Sequence, residues 1–344
     1  MSPHLIIDEH PMAENLICLG IESTAHTFGA SIVSSEGHIH SDERSTYKPP
    51  PGKGIHPRES AQHHAETAPD VIKATLAKAQ LTAKALNIIA FSQGPGLGPC
   101  LRTGATVARA LASYLHIPLV PVNHAIGHIE IAALTTGAKD PLVVLVSGGH
   151  TCITAFAGGR WRIFGETEDI TLGNLIDMFG RAVGLPSPSG SAVEEQANRG
   201  GHYVELPYVV KGNDVSYSGL LTATVNRLKE SETRLEDLCY SLQETAFSML
   251  TEATERALAF TEKKELLLTG GVAANRKLQV MLEYVAKEHD ANFHVVPREY
   301  SGDCGAQIAW TGLLAYRSGV KVEVCRSYVR PRWRLEDVPV KWRR

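Results

Sequence analysis

The feature that most constrains this chain is a repeat. Apolar runs that read as strands, and longer amphipathic stretches that read as helices, follow one order up to about residue 136 and take it up again from residue 141. In the first pass, strands over 16–22 and 28–34 form a hairpin around a polar turn. Helix 59–80, strand 86–91, helix 101–115, strand 117–122 and a further helix follow. In the second pass, strands over 141–146 and 152–156 form a hairpin, with a third run over 161–164. Helices over 172–183, around Glu194 and over 235–261 come next, then strand 265–269, a helix to 287, strand 292–296 and helix 306–315. Strands alternating with helices specify an α/β fold. A doubled α/β unit specifies two lobes around a cleft. The boundaries read as an appended or disordered leader over 1–15, an N-terminal lobe over 16–138 and a C-terminal lobe over 139–325. The last helix, 303–318, would return to the cleft, and 326–344 reads as a basic tail or linker.

Several strands end in turns suited to anions. Ser147-Gly148-Gly149-His150-Thr151 follows an apolar strand, and two adjacent glycines leave backbone amides free to face phosphate oxygens. Gly270-Gly271 stands in the same place after strand 265–269, with Asn275 opening the next helix. The hairpin turn Ser23-Thr24-Ala25-His26-Thr27 offers hydroxyls and amides, and the loop 92–99 holds three glycines and two prolines whose backbone a ligand can approach. Each of these is equally a plain β-turn when taken alone. No Gly-Lys-Ser/Thr follows any of them, so the Walker pattern is excluded.

His124 and His128 are four residues apart at the start of a helix, Asn123-His124-Ala125-Ile126-Gly127-His128-Ile129-Glu130. That spacing puts both imidazoles on one face, where they can share one metal ion and leave positions for a third ligand and a substrate. Taken alone, the pair is as well read as capping or surface histidines. Ala125 stands where the metallopeptidase HExxH pattern needs its Glu. Asp303 opens the last helix and reads either as its N-cap or as the third ligand. Six scattered cysteines without a CxxC pair indicate reduced thiols in a cytoplasmic protein. No apolar run is long enough to span a bilayer, so no membrane association is expected.

Ordered blocks along the chain carry a family resemblance: GIESTAHTFGASIV, PRESAQHHAE, FSQGPGLGPCLRTGATVA, NHAIGHIE, LVSGGHT, LPYVVKGNDVSYSGL, LLTGGVAANRKL and YSGDCGAQIAW. From about Leu19 to about Gly319 the sequence closely resembles the tRNA N6-threonylcarbamoyladenosine transferases. These are TsaD in bacteria and the catalytic subunit of the KEOPS complex in archaea and eukaryotes, formerly described as an O-sialoglycoprotein endopeptidase. The PPGKGIHPRESAQHH and LPYVVKGNDVSYSGL blocks resemble the archaeal and eukaryotic branch. The resemblance implies the actin-like ATPase (ASKHA, ribonuclease-H-like) fold and one divalent metal ion, iron or zinc, on His124, His128 and Asp303. It also implies a site for ATP, AMP or threonylcarbamoyl-AMP at Leu145, Val146, Ser147, Gly148, Gly149, Asp177, Gly190, Glu194 and Asn275. There the glycines would take phosphate, the two carboxylates the ribose hydroxyls and Asn275 the adenine edge. The implied reaction moves the threonylcarbamoyl group from the adenylate to N6 of the adenosine 3′ of the anticodon, in tRNAs reading codons that begin with A. Three positions depart from the family pattern. Leu145 stands where archaeal members usually carry a metal-shell Tyr, Ser187-Pro188-Ser189-Gly190-Ser191 replaces HPGGP, and Cys304 replaces Asn.

Other readings make distinct demands. A sugar kinase or metallo-ATPase of the same fold gives no reason for the two histidines, a metallopeptidase lacks its Glu, and a scaffold subunit would have lost the ligands. A net charge of −3 is low for a chain that grips a polyanion. Positive charge is concentrated in Arg326, Arg330, Arg332, Arg334, Lys341, Arg343 and Arg344, against Glu336 and Asp337. The expected partners are therefore tRNA, held weakly by the chain alone, and the kinase-like ATPase subunit and small dimerising subunit of a KEOPS complex.

Overall fold

The two passes of the repeat become two five-stranded sheets with one strand order. This computed structural model describes residues 15–50, 52–229 and 233–343; the expected leader lies, but for residue 15, outside them. The first sheet contains β1 (Ile17–Glu22), β2 (Thr27–Ser34), β3 (Ile39–Thr46), β4 (Ile88–Gly94) and β5 (Leu119–Asn123), in the order β3-β2-β1-β4-β5. β1, β2 and β3 pair antiparallel, and β4 and β5 continue the sheet in parallel. The second sheet begins with β6 (Leu142–Val146), β7 (Thr151–Ala157) and β8 (Arg160–Glu166). After a ribbon of β9 (Val210–Lys211) and β10 (Asp214–Val215), it is completed by β11 (Glu265–Thr269) and β12 (Asn292–Val295). Its order, β12-β11-β6-β7-β8, and its strand senses repeat the first sheet.

Ten α-helices connect and cover the strands among the described residues. They are α1 (Pro57–Lys78), α2 (Gly98–Leu115), α3 (His124–Thr136), α4 (Leu172–Ala182), α5 (Gly190–Ala197), α6 (Ser218–Arg227), α7 (Leu235–Thr261), α8 (Arg276–Glu288), α9 (Arg298–Ser301) and α10 (Gly305–Arg317). None is long and apolar enough to cross a membrane. β1 is buried on both faces, which is why it reads as an unbroken apolar run. Leu19 and Ile21 pack with Ala68 and Val71 of α1 and Ala105 and Ala108 of α2, while Cys18 faces Ile308 and Ala309 of α10. β3 was not expected from the sequence. Its residues, IHSDERST, lie on the open edge of the sheet, mostly half-buried, and all but Ile39 are polar, so no apolar alternation marks them.

Three expectations change. The last helix, assigned to the C-terminal lobe, packs across β1, β2, β4 and β5 of the first sheet and against α3. Glycines permit this close contact: a Cβ on Gly20 would lie 2.2 Å from the Ala309 amide nitrogen, and one on Gly305 2.4 Å from that of Ser31. Second, two glycines of the 92–99 loop face the chain itself. Cβ atoms on Gly94 and Gly96 would lie 1.9 Å from the Arg330 carbonyl and 2.7 Å from the Thr24 carbonyl, so the chain itself makes the close approach. Third, residues 326–343 are not a solvated linker. Trp333, Leu335, Val338 and Val340 are buried in the core beneath the second sheet, and the Val340 amide donates to the Gly159 carbonyl. Apolar residues spaced among the charges carry this packing, which charge counting overlooks.

Gly20→Ala should lower stability by about 1–3 kcal/mol, the cost of overpacking a filled contact. Gly148→Ala, which meets nothing within 4 Å, should change it by less than about 0.5 kcal/mol. Thermal unfolding of the two variants checks the contrast.

Candidate metal and nucleotide site

Asn123 starts α3 by accepting the Ala125 and Ile126 amides on Oδ1 at 3.0 and 3.2 Å. The cap fixes the first turn, and His124 and His128 then stack one turn apart with ring centroids separated by 4.7 Å. Asp303 arrives from the opposite side, between α9 and α10. It is not the cap of α10, because Oδ1 of Asp42 on β3 accepts the Ala306 amide there at 3.2 Å. Arg44 ties down the same loop by donating to the Glu299 and Asp303 carbonyls. The Asp303 carboxylate is thus left facing the two imidazoles, with Oδ1 3.4 Å from His124 Nε2 and 3.3 Å from His128 Nε2.

These distances fit a metal better than hydrogen bonds. Both nitrogens of His128 are buried without a hydrogen-bond partner, so its 3.3 Å contact with Asp303 satisfies neither group. Ligands about 2.1 Å from a tetrahedral ion lie about 3.4 Å apart. The three donor atoms sit within 4.8 Å of one another, and no further Cys, His, Asp or Glu joins them among the described residues. Leu145, where the family pattern has Tyr, is fully buried in β6 and offers no donor.

Electrostatics favour a cation here. Burial disfavours a charged His124, yet the carboxylates of Glu22 and Asp303 outweigh it and raise its pKa to about 10. Burial also opposes a charged Asp303, but the neighbouring His124 holds its carboxyl well below the usual range. His128 is pushed down, chiefly by burial. Glu22 was missed by sequence reasoning. It ends β1, is fully buried, and lies with Oε2 2.9 Å from His124 Nδ1. A carboxylate only accepts, so it holds a proton on Nδ1 and turns Nε2 toward the cluster, where a metal would displace the second proton. An acidic residue inside an otherwise apolar strand was the available signal.

The residues expected to bind nucleotide are linked to one another in the second lobe. Ser147, Gly148 and Gly149 follow β6, and no atom lies within 4 Å of a Cβ placed on either glycine. The Gly149 and His150 amides donate to Ser147 Oγ at 3.2 and 3.0 Å, so the turn holds its own donors together. Gly173 at the start of α4 packs directly on Ser147. Asp177 on α4 accepts the Ser189 amide with Oδ1, beside Gly190, and Glu194 on α5 accepts the Arg276 amide with Oε1. Each keeps a second oxygen. Asn275 caps α8 through Oδ1, and its Nδ2 donates to Gln243 at 2.7 Å. Leu145 and Val146 are fully buried strand residues and present no polar side chain. In the Ser23–Thr27 turn, Ser23 N donates to Ser92 and Thr24 N to Glu22, while Ser23 Oγ and His26 Nδ1 are buried without a hydrogen-bond partner. His150 joins these residues to the histidine cluster: it closes the Gly-Gly turn, and its ring lies 6.3 Å from that of His124. Burial, first, and the neighbouring imidazoles lower its pKa to about 3, so it stays neutral.

Residues 38–310 match the sequence profile of TsaD, tRNA N6-adenosine threonylcarbamoyltransferase. The chain belongs to the tRNA N6-adenosine threonylcarbamoyltransferase family. It is 55% identical over 327 residues to the enzyme of that name from Caldivirga maquilingensis, covering 95% of this chain and 98% of the relative. It is 54% identical over 332 residues to that of Sulfurisphaera tokodaii, covering 94% and 98%. Among solved structures it resembles T.kodakarensis HypF, with TM-score 0.62 at 15% identity over 89% of this chain and 48% of that one. It also resembles component A of the Acidaminococcus fermentans (R)-2-hydroxyglutaryl-CoA dehydratase, with TM-score 0.55 at 12% identity over 87% and 98%. These neighbours share the actin-like ATPase fold, and the family's activity is acyl transfer to tRNA.

His128→Ala and His124→Ala should each lose most bound metal while the protein stays folded, as read by elemental analysis and circular dichroism. Glu22→Gln should retain the site with about 10–100-fold weaker metal affinity, the usual cost of losing a ligand's carboxylate partner. Unchanged stoichiometry in both histidine variants would dismiss the site.

Proposed function

We propose that this chain transfers threonylcarbamoyl from threonylcarbamoyl-AMP to N6 of the adenosine 3′ of the anticodon, at a centre where His124, His128 and Asp303 hold one divalent metal, iron or zinc. The observation that carries this reading is the adjacency of the buried His2Asp donor set to the open Gly148-Gly149 turn through His150. A bound metal would supply Lewis-acid polarisation of the mixed anhydride. In the reaction the amine forms a C–N bond to the carbamoyl carbon, the C–O bond to phosphate breaks, and AMP departs with the electron pair while the amine loses a proton. The chain's own contribution is binding and orientation. The Gly148 and Gly149 amides would receive the phosphate and stabilise it as it leaves. The free oxygens of Asp177 and Glu194 suit two ribose hydroxyls, and Gly190 and Asn275 border the base. Glu22 holds His124 Nδ1 and turns Nε2 toward the centre, where a bound metal would take the place of the Nε2 proton.

Gly149→Val tests the phosphate assignment. With open space around that position, the variant should melt within a few degrees of wild type yet bind AMP at least about tenfold more weakly by calorimetry, a loss of about 1.4 kcal/mol. Equal affinity would refute it. The reaction itself is tested by incubating the protein with unmodified tRNA and threonylcarbamoyl-AMP and mapping the mass gain to one adenosine.

Binding of tRNA falls to few charges. Arg334 is paired with Glu166 and Glu336, Arg343 with Glu130 and Arg326 with Glu323. Arg330, stacked 4.5 Å over Trp333, and Arg332 are exposed. Few phosphate contacts mean weak binding by the chain alone, which supports a need for the kinase-like and small dimerising subunits of a KEOPS complex in the cytoplasm. Deleting 330–344 would remove buried Trp333 and Leu335, so point changes are the cleaner probe. Arg330→Glu with Arg332→Glu should weaken tRNA binding and flatten its salt dependence by about two charges, sparing AMP. Modification by the isolated chain at a rate that partners do not raise would contradict the partner reading.

A further inference from the structure

Glu130 lies on α3 two residues after His128 and is almost fully buried. A buried carboxylate is costly unless it is paired. Among the described residues its partners all come from the end of the chain. Trp342 Nε1 donates to Oε1 at 3.0 Å, and Arg343 forks onto both oxygens, Nε to Oε1 at 2.9 Å and Nη2 to Oε2 at 2.8 Å. The Arg343 guanidinium also donates to the Lys139 carbonyl at 2.9 Å and lies 5.0 Å from the centroid of the buried Trp161 ring. The same segment grips α3 at its start, where Asn123 Nδ2 donates to the Trp333 carbonyl at 3.1 Å.

We infer that Arg343, with Trp342, is a positioning residue for the metal centre: the chain end clasps Glu130 and fixes the rotational setting of α3, and with it the Nε2 atoms of His124 and His128. At about 100° per residue, Glu130 lies about 200° round the helix from His128. The clasp therefore holds one side of α3 while Asp303 and α10 approach the other. Between the two sides Gly127, about 60° round the helix from Glu130, lets Gln307 of α10 come close, a Cβ there lying 3.3 Å from Gln307 Cγ. Fixing opposite sides of a helix removes the rotation that would carry both imidazoles away from Asp303. The guanidinium fork matters because two parallel hydrogen bonds set an angle as well as a distance. This inference rests on the reading of His124, His128 and Asp303 as metal ligands.

The test is titration of metal-free protein with Co²⁺, recording both affinity and the visible spectrum of the bound ion, which reports ligand geometry. Arg343→Met should bind Co²⁺ about tenfold more weakly, the low end for loss of a partner that orients a ligand, with a changed spectrum. Arg343→Lys, which keeps the charge without the fork, should also bind Co²⁺ more weakly and with a changed spectrum, and it carries the test if Arg343→Met does not fold, wild-type affinity and spectrum in it then overturning the clasp. Leu282→Ala, which opens the core at a fully buried residue of α8, should lower the melting temperature and leave affinity and spectrum at wild-type values. Wild-type binding by Arg343→Met, or an equal loss in Leu282→Ala, overturns the clasp. If wild type fails to bind Co²⁺, or His128→Ala binds it equally well, the metal-site reading itself falls and the clasp with it.

Discussion

The contact of α10 with β1 is the constraint on which the rest depends. Gly20 on the strand and Gly305 on the helix let two backbones touch with no side chain between them. That contact sets α10 on the first sheet and places the loop before it, with Asp303, over the start of α3. A helix held about 10 Å from its sheet by ordinary side chains would not bring Asp303 within 3.4 Å of His124. The donor set is therefore a product of backbone packing, and the three ligands come from two segments separated by most of the chain.

The two lobes divide the chemistry. The first sheet supplies Glu22 at the end of β1, and the helices above it supply His124, His128 and Asp303. The second supplies the turn after β6 and the helices that carry Asp177, Glu194 and Asn275. α3 belongs to both, packing on α10 on one side and on β11 and β6 on the other. Thr269 at the end of β11 donates to the His128 carbonyl, and His150 of the turn faces His124. A relative movement of the lobes would alter the spacing between donor set and turn, which is the spacing the proposed adenylate would span.

The sequence made the duplicated fold legible because both halves repeat one order of strands and helices, and because β6 is apolar throughout while β1 and β11 carry apolar runs. The histidine pair was legible from helical spacing. Asp303 stayed ambiguous, since its neighbours alone cannot say that Asp42, from a hydrophilic edge strand, does the capping. Glu22 and His150 were hidden because their roles arise from distances across the sheet, although each broke a local pattern. The glycines of the 92–99 loop misled for the opposite reason: they do signal close approach, but of Arg330 and Thr24 in place of a ligand. The chain end misled because its charges are conspicuous, while its buried Trp333, Leu335, Val338 and Val340 are thinly spaced.

The central claim is that one divalent ion is shared by the two helical histidines and Asp303, beside the Gly-Gly turn. Anomalous diffraction from crystals of the metal-reconstituted protein, collected on either side of the metal's absorption edge, tests it most directly. One peak within about 2.0–2.2 Å of His124 Nε2, His128 Nε2 and an Asp303 oxygen is the predicted result. A full-occupancy peak elsewhere, or none at this position in reconstituted crystals, would contradict it.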